Sequence, residues 1–301
     1  MKRTLLDIWY TAIFELQVSL RSRRFLVVIA LFVIASVFSS LIFVRIIEVA
    51  EHNLAEQLMV SKTEKVGLMI DKIKENKTFR HTIGQFIGNQ HIVTDVLKMP
   101  LMVINYTWFV LTCIPFAIAY VCSETFVREV YSGSIRFVLF RTDLFDWVVG
   151  KTLGQMFLVF VALLCSMVAM LIVGSMHLYH FSIVENFFWM LRMSFKIVFY
   201  VYAFLGFSLM ISMMFRNVGT ARACSLIFLA ILLILDPFLS YILIEKYPTL
   251  SRTLVQLLPS HHQQMLWDPN ILHHSIAQLI LFCIGTVYLF VGYHIFRRRE
   301  K

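Results

Sequence analysis

The chain has 301 residues, 59% of them hydrophobic and only 15% charged, with a mean hydropathy of +0.77. Soluble domains carry about 25% charged residues, and a chain this apolar could not keep its surface from water. The formal charge of +9 does not indicate a nucleic-acid partner, because the basic residues flank apolar blocks instead of forming a groove with interleaved aromatics.

Taken in chain order, residues 1–24 predict an amphipathic helix at the membrane surface. Leu5, Trp9, Ala12, Ile13, Leu16 and Leu20 recur every three to four positions. Asp7 and Glu15 interrupt any signal-like apolar run, and no small-x-small site follows, so no cleavable leader is expected. Arg21, Arg23 and Arg24 then anchor a first span, Phe25 to Val44. At about 1.5 Å per residue, some twenty apolar residues cross roughly 30 Å of hydrocarbon. Residues 45–100 hold eight Lys/Arg and seven Asp/Glu, with Leu54, Leu58, Phe79, Ile83, Phe86 and Val93 at helical spacings. They read as an extracytoplasmic insert, two helices leaning on each other. The second span is Leu101 to Val121, and a charged segment, 122–147, leads to the third, Val148 to Val173. A fourth span ends near Phe215, a fifth runs Ala223 to Ile244, and a loop at 245–275 precedes the sixth, Ile276 to Ile295. The whole is a single all-α membrane domain of six transmembrane helices.

Lys and Arg near span ends set the orientation. With both termini in the cytoplasm, the inner segments hold fifteen, while the third-to-fourth loop holds none and 245–275 only two. Nine of ten histidines then fall on the outer side.

Several motifs carry less than they suggest. Gly150-Lys151-Thr152 resembles the end of a phosphate loop, but Phe145 stands where the first glycine belongs and the segment opens a membrane span. Gly150 and Gly154 form a small-xxx-small pair, compatible with close helix approach or with chance. His261–His262 and His273–His274 suggest a metal, yet adjacent helical residues point about 100° apart, and solvated loop histidines are the default. Cys113, Cys122, Cys165, Cys224 and Cys283 lie in or beside apolar spans without pairing motifs and read as small core residues. No catalytic set is present, so no catalytic residue, metal or cofactor is expected. Ionisable groups in the bilayer point to function. Lys196 and Asp236 fall at comparable depth and form a candidate pair, although Arg192 and Lys196 could instead both lie outside a fourth span that starts at Ile197.

The segment Glu129-Val-Tyr-Ser-Gly133-Ser134-Ile135, followed by Gly150-Lys151 at the head of the third span, resembles the ABC-2 type permease family of ABC transporters. So do the amphipathic N-terminal helix, the six spans and the basic tail. The family often places a proline and then an arginine between those motif halves; here the stretch is Arg141-Thr142-Asp143-Leu144, and the 45–100 insert is larger than in the plainest members. The resemblance implies a non-catalytic permease subunit of an exporter in a bacterial inner membrane. It implies a homodimer with a separate cytoplasmic ABC ATPase, and leaves room for a periplasmic or accessory membrane subunit. Residues 122–147 would be the coupling segment, with Glu129, Gly133, Ser134 and Ile135 at the ATPase contact, and 245–275 would form short outer helices capping the path. Membrane lipids complete the expected partners, and the substrate stays open. A scaffold or sensor of the same architecture, or an intramembrane enzyme using the outer histidines, are the rival readings.

Overall fold

The computed structural model describes residues 2–57, 80–81, 93–140, 142–179, 181–239, 255–256, 258–267 and 271–299. In chain order these form α1 (Lys2–Arg21), α2 (Arg23–Gln57), α3 (Val93–Val96), α4 (Leu101–Cys122), α5 (Val127–Ser132) and α6 (Ile135–Leu139). Then follow α7 (Leu144–His177), α8 (Ile183–Met214), α9 (Val218–Phe238), a 3-10 helix η1 (Pro259–Trp267) and α10 (Ile271–Arg299). Among the described residues there is no strand.

Six of these helices (α2, α4, α7, α8, α9 and α10) contain stretches long and apolar enough to cross a membrane. Helices suit that medium because they satisfy every backbone polar group internally. Their bounds differ from the composition-based spans. Helix α2 continues well past Val44 to Gln57, and its 35 residues measure roughly 52 Å at 1.5 Å per residue, far more than the bilayer requires. The two-helix insert expected at 45–100 otherwise falls mainly on 58–79 and 82–92, outside the described residues. Helix α8 starts at Ile183, so Arg192 and Lys196 both lie within it. Arg192 is exposed, its guanidinium 5.4 Å from the Trp189 ring, while Lys196 is buried.

Helices α4 and α8 form the centre. Tyr106 of α4 shares a 2.6 Å hydrogen bond with Ser194 of α8, and Tyr200, Phe204 and Leu205 are fully enclosed beside them. Helices α2, α9 and α10 are peripheral and keep long apolar faces outward, as expected of lipid-facing helices. One peripheral contact is very close. A Cβ on Gly206 of α8 would overlap the Gly285 carbonyl of α10, and one on Gly292 would lie 2.9 Å from the Met210 Cα. Small residues let helix backbones touch where no hydrophobic effect drives them together.

Candidate functional site

Beyond Cys122, where α4 ends, the chain turns and makes two short helices in succession. Gly133 closes α5 with φ of +72°, a left-handed conformation that glycine adopts without steric cost. The Ser132 and Ser134 hydroxyls lie 2.9 Å apart, and both donate to the Glu129 carbonyl. Ile135 points inward and is buried in the core. Its outward aromatic residues include Tyr131, Phe137 and Phe140, exposed by 75%, 77% and 87%.

Beneath this segment lies a buried charge cluster. The Lys151 ammonium, in the second turn of α7, is 2.6 Å from Glu129 Oε1 and 3.0 Å from Glu15 Oε2. It also donates to the Thr125 carbonyl at 3.3 Å. Gln155, one turn further along α7, donates to the other Glu15 oxygen at 2.7 Å. The Lys151 side chain is 4% exposed and Glu15 9%, so neither charge has much water to stabilise it. Two carboxylates around one ammonium leave a negative excess, which the Gln155 amide offsets. The Phe126 and Trp147 ring faces, 5.8 and 5.4 Å from the ammonium, supply further stabilisation of the cation. The cluster therefore joins three elements distant in sequence: α1 through Glu15, α5 through Glu129, and α7 through Lys151.

Glycine makes that convergence sterically feasible. A Cβ on Gly150 would sit 2.6 Å from the Thr11 Cβ and 2.8 Å from the Ile8 carbonyl; one on Gly154 would sit 3.0 Å from the Glu15 Cβ. The small-xxx-small pair is thus the groove in which α1 lies.

The same segment is tied to the remaining helices. The Ser212 hydroxyl of α8 accepts the Phe126 and Val127 amides at 2.9 and 3.2 Å, two donors at the start of α5. Glu124 pairs with Arg222 of α9, whose guanidinium stacks 4.8 Å from the Tyr120 ring. Phe126 meets Trp147 edge-on at 5.0 Å, and Trp147 meets Phe296 of α10 at 5.9 Å. Arg299 of α10 donates to the Met214 and Phe215 carbonyls, capping the end of α8. Residues 123–129 are consequently a hub on which α1, α7, α8 and α9 converge, with α10 joined to it through Trp147.

At the opposite end, Asp236 faces His261, with 3.9 Å between Oδ1 and Nδ1. No Lys196–Asp236 ion pair is present among the described residues; His261 of η1 lies beside Asp236. His262 is buried and shares a 2.8 Å hydrogen bond between its Nε2 and the Gln256 carbonyl. Among the described residues no group of His, Cys, Asp or Glu is arranged to hold a metal ion.

Of the residues singled out in the sequence, Glu129 belongs to the cluster, Gly133 and Ser134 shape the turn, and Ile135 anchors it. Glu15, Gln155 and Ser212 carry no local signal of their own. Glu15 stood out only as one of two acids that interrupt a signal-like apolar run. Lys151 was visible, but as half of a short motif whose partner is Glu129.

Comparison with curated proteins finds no match. A family model described as an ABC-2 family transporter protein matches residues 9–300. That is nearly the whole chain, including most of α1, the hub and all six long helices, so this protein belongs to the ABC-2 family and is a multi-pass, membrane-embedded permease subunit of an ABC transporter.

Proposed function

We propose that the chain forms the transmembrane path of an exporter as a homodimer in a bacterial inner membrane, driven by a separate ATPase that binds the end bearing both termini. Fifteen Lys and Arg residues at that end support its placement in the cytoplasm. A chain of six helices encloses a path poorly alone, whereas two copies can surround one.

The observation that carries the reading is the Glu15–Lys151–Glu129 cluster under α5. A helix pushed by a partner moves others only if it is attached to them. Here the attachment is buried, charged and made to the interfacial helix and the third span together. The Ser212 bonds extend it to α8. Closure of an ATPase against α5–α6 then moves α1 and α7 together through the joint at Lys151, the kind of two-state movement on which switching depends. Tyr131, Phe137 and Phe140 present the aromatic contact surface, of the kind that dominates binding energy at interfaces. Glu129, Gly133, Ser134 and Ile135 shape and secure it.

The test is co-purification of the ATPase with tagged chain carrying Phe137→Ala and Phe140→Ala. Both side chains are exposed, so the variant should reach the membrane in normal amounts. ATPase recovery should drop at least tenfold, about 1.4 kcal/mol. Normal recovery with normal transport would exclude α6 as the contact.

A further inference from the structure

The hub opens sideways into a cleft between α1, α2, α4, α5 and α7, and that cleft continues into the membrane. Its polar chamber is lined by Glu15, Glu124, Arg128, Glu129, Lys151 and Arg222. An apolar groove between α2, α4 and α7 follows, lined by Phe32, Ile114, Ile118, Leu158, Val159 and Ala162. Phe25, Val28, Val121 and Gln155 border both chambers, so the two are contiguous.

We infer that this composite cleft binds a zwitterionic phospholipid of the adjoining leaflet, its aminophosphate headgroup in the polar chamber and its acyl chain in the groove. The chemistry follows from what the chamber leaves unused. Lys151 is shared between Glu15 and Glu129, and Arg222 pairs with Glu124. Arg128 is exposed and has no ion-pair partner among the described residues. Arg222 Nε and Glu129 Oε2 are buried with no hydrogen-bond partner. Two donors on guanidinium groups suit a phosphate, and guanidinium matches phosphate in geometry as well as charge. The free carboxylate oxygen suits an ammonium. A purely anionic headgroup would meet three carboxylates in the same chamber, whereas an aminophosphate answers both signs.

The groove is lined almost wholly by apolar side chains. From Phe25 to Phe32 it follows α2 for roughly 10 Å at 1.5 Å per residue. There the Phe32 and Phe109 rings meet at 5.2 Å. Beyond them the α2–α4 seam reopens as an apolar cavity bordered by Phe38, Ile42, Ile46 and Trp108. A chain passing this ring pair would occupy the seam's outer half. The binding site depends on the chain spanning a membrane and not on the ATPase contact, so the two readings fail separately.

The experiment uses the full chain in vesicles of phosphatidylethanolamine and phosphatidylglycerol, with a trace of phosphatidylethanolamine carrying a photoreactive diazirine in its acyl chain. Adducts located by mass spectrometry should concentrate on residues 25–32 and 114–121. Arg128→Gln, a change at an exposed position, should lower them roughly tenfold, the loss of one charge-assisted hydrogen bond. Ala162→Trp, which fills the groove without touching the chamber, should lower them as well. Adducts spread evenly over the outward faces of α2 and α10 would overturn the site, as would labelling undiminished in both variants. Equal labelling by a phosphatidylglycerol probe with the same chain would overturn the headgroup assignment.

Discussion

The α8–α10 seam and the α1–α7 seam both rely on glycines that bring one helix backbone against another, and they differ in what surrounds that contact. Around Gly206, Gly285 and Gly292 the neighbours are Tyr202, Met210 and Met213, with Tyr202 stacked on Phe282 at 5.1 Å. Nothing there is charged. Around Gly150 and Gly154 the neighbours include Glu15, and the adjoining ammonium is held by two carboxylates. An apolar seam of touching backbones has one good arrangement, since a small slide replaces contact by overlap. A charged seam with two anions on one cation has more than one: Lys151 can keep Glu15 while releasing Glu129. The comparison divides the bundle into a fixed pair, α8 with α10, and a jointed corner, where α5 meets α1 and α7.

The strongest way to break that division is at Lys151. Lys151→Met removes the cation that Glu15 and Glu129 share and leaves one buried and one part-buried carboxylate without it. Unpairing a buried charge typically costs about 3–5 kcal/mol. The expected result is a large drop in the thermal unfolding midpoint of detergent-solubilised protein, with Glu129→Gln milder because the Glu15 pair survives. Equal effects of the two variants would mean that Glu15 and Glu129 do not share the cation.

Next in size is the fixed pair. Gly206→Ala drives a methyl into the Gly285 carbonyl, backbone against backbone, where no side chain can move aside. Overpacking of this kind costs about 1–3 kcal/mol. Gly219→Ala is the matched control: its new methyl would lie 3.5 Å from the Asn217 side chain, an ordinary contact, so a change within about 0.5 kcal/mol is expected. Similar unfolding midpoints for both variants would contradict a tight α8–α10 seam.

The fixed pair and the jointed corner were unequally legible in the sequence. The six long helices follow from apolar runs, because the bilayer imposes length and composition on each span independently of its neighbours. Pairing is a tertiary fact with no such constraint. Gly206 and Gly285 belong to different spans and show no motif within either. Glu15 was visible only as an acid interrupting a signal-like apolar run, and its partner Lys151 lies 136 residues away. Glu129 and Lys151 were both marked by the family motif, but the motif is a string and does not say that its two halves touch. Lys196 and Asp236 show the reverse error: similar depth suggested a pair, yet depth says nothing about which way a helix faces. The fold of η1 sets His261 beside Asp236 instead.

A smaller effect tests how α8 is attached to the joint. Ser212 accepts both amides at the start of α5, and Ser212→Ala leaves these two enclosed donors without it. The expected cost is about 1–3 kcal/mol. Ser212→Thr, which keeps the hydroxyl, should restore most of it. The sharper readout is functional: Ser212→Ala should reduce ATP-driven transport more than it reduces ATPase co-purification, since the contact surface is untouched. Equal reduction of both would place Ser212 in general packing.

The smallest effect is expected at the end away from the joint, and it depends on pH. His262 Nε2 donates to the Gln256 carbonyl at 2.8 Å, so the neutral ring carries its proton there, and the buried Nδ1 has no partner. Burial holds His262 below the ordinary histidine value; His261 pushes the same way, while Asp236 and the Gln256 carbonyl oppose. Protonation would create a second N–H, at Nδ1, with no acceptor. Above the ordinary value, about 6.5, folded and unfolded chains both hold a neutral ring and His262 contributes no pH dependence. Below it the unfolded chain takes up a proton that the folded chain resists. Stability therefore falls as pH drops from the ordinary value toward the lower folded one. The unfolding midpoint should be lower at about pH 5.5 than at about pH 7.5, and His262→Gln should flatten the difference. A slope unchanged by that substitution would assign the acid sensitivity to other groups.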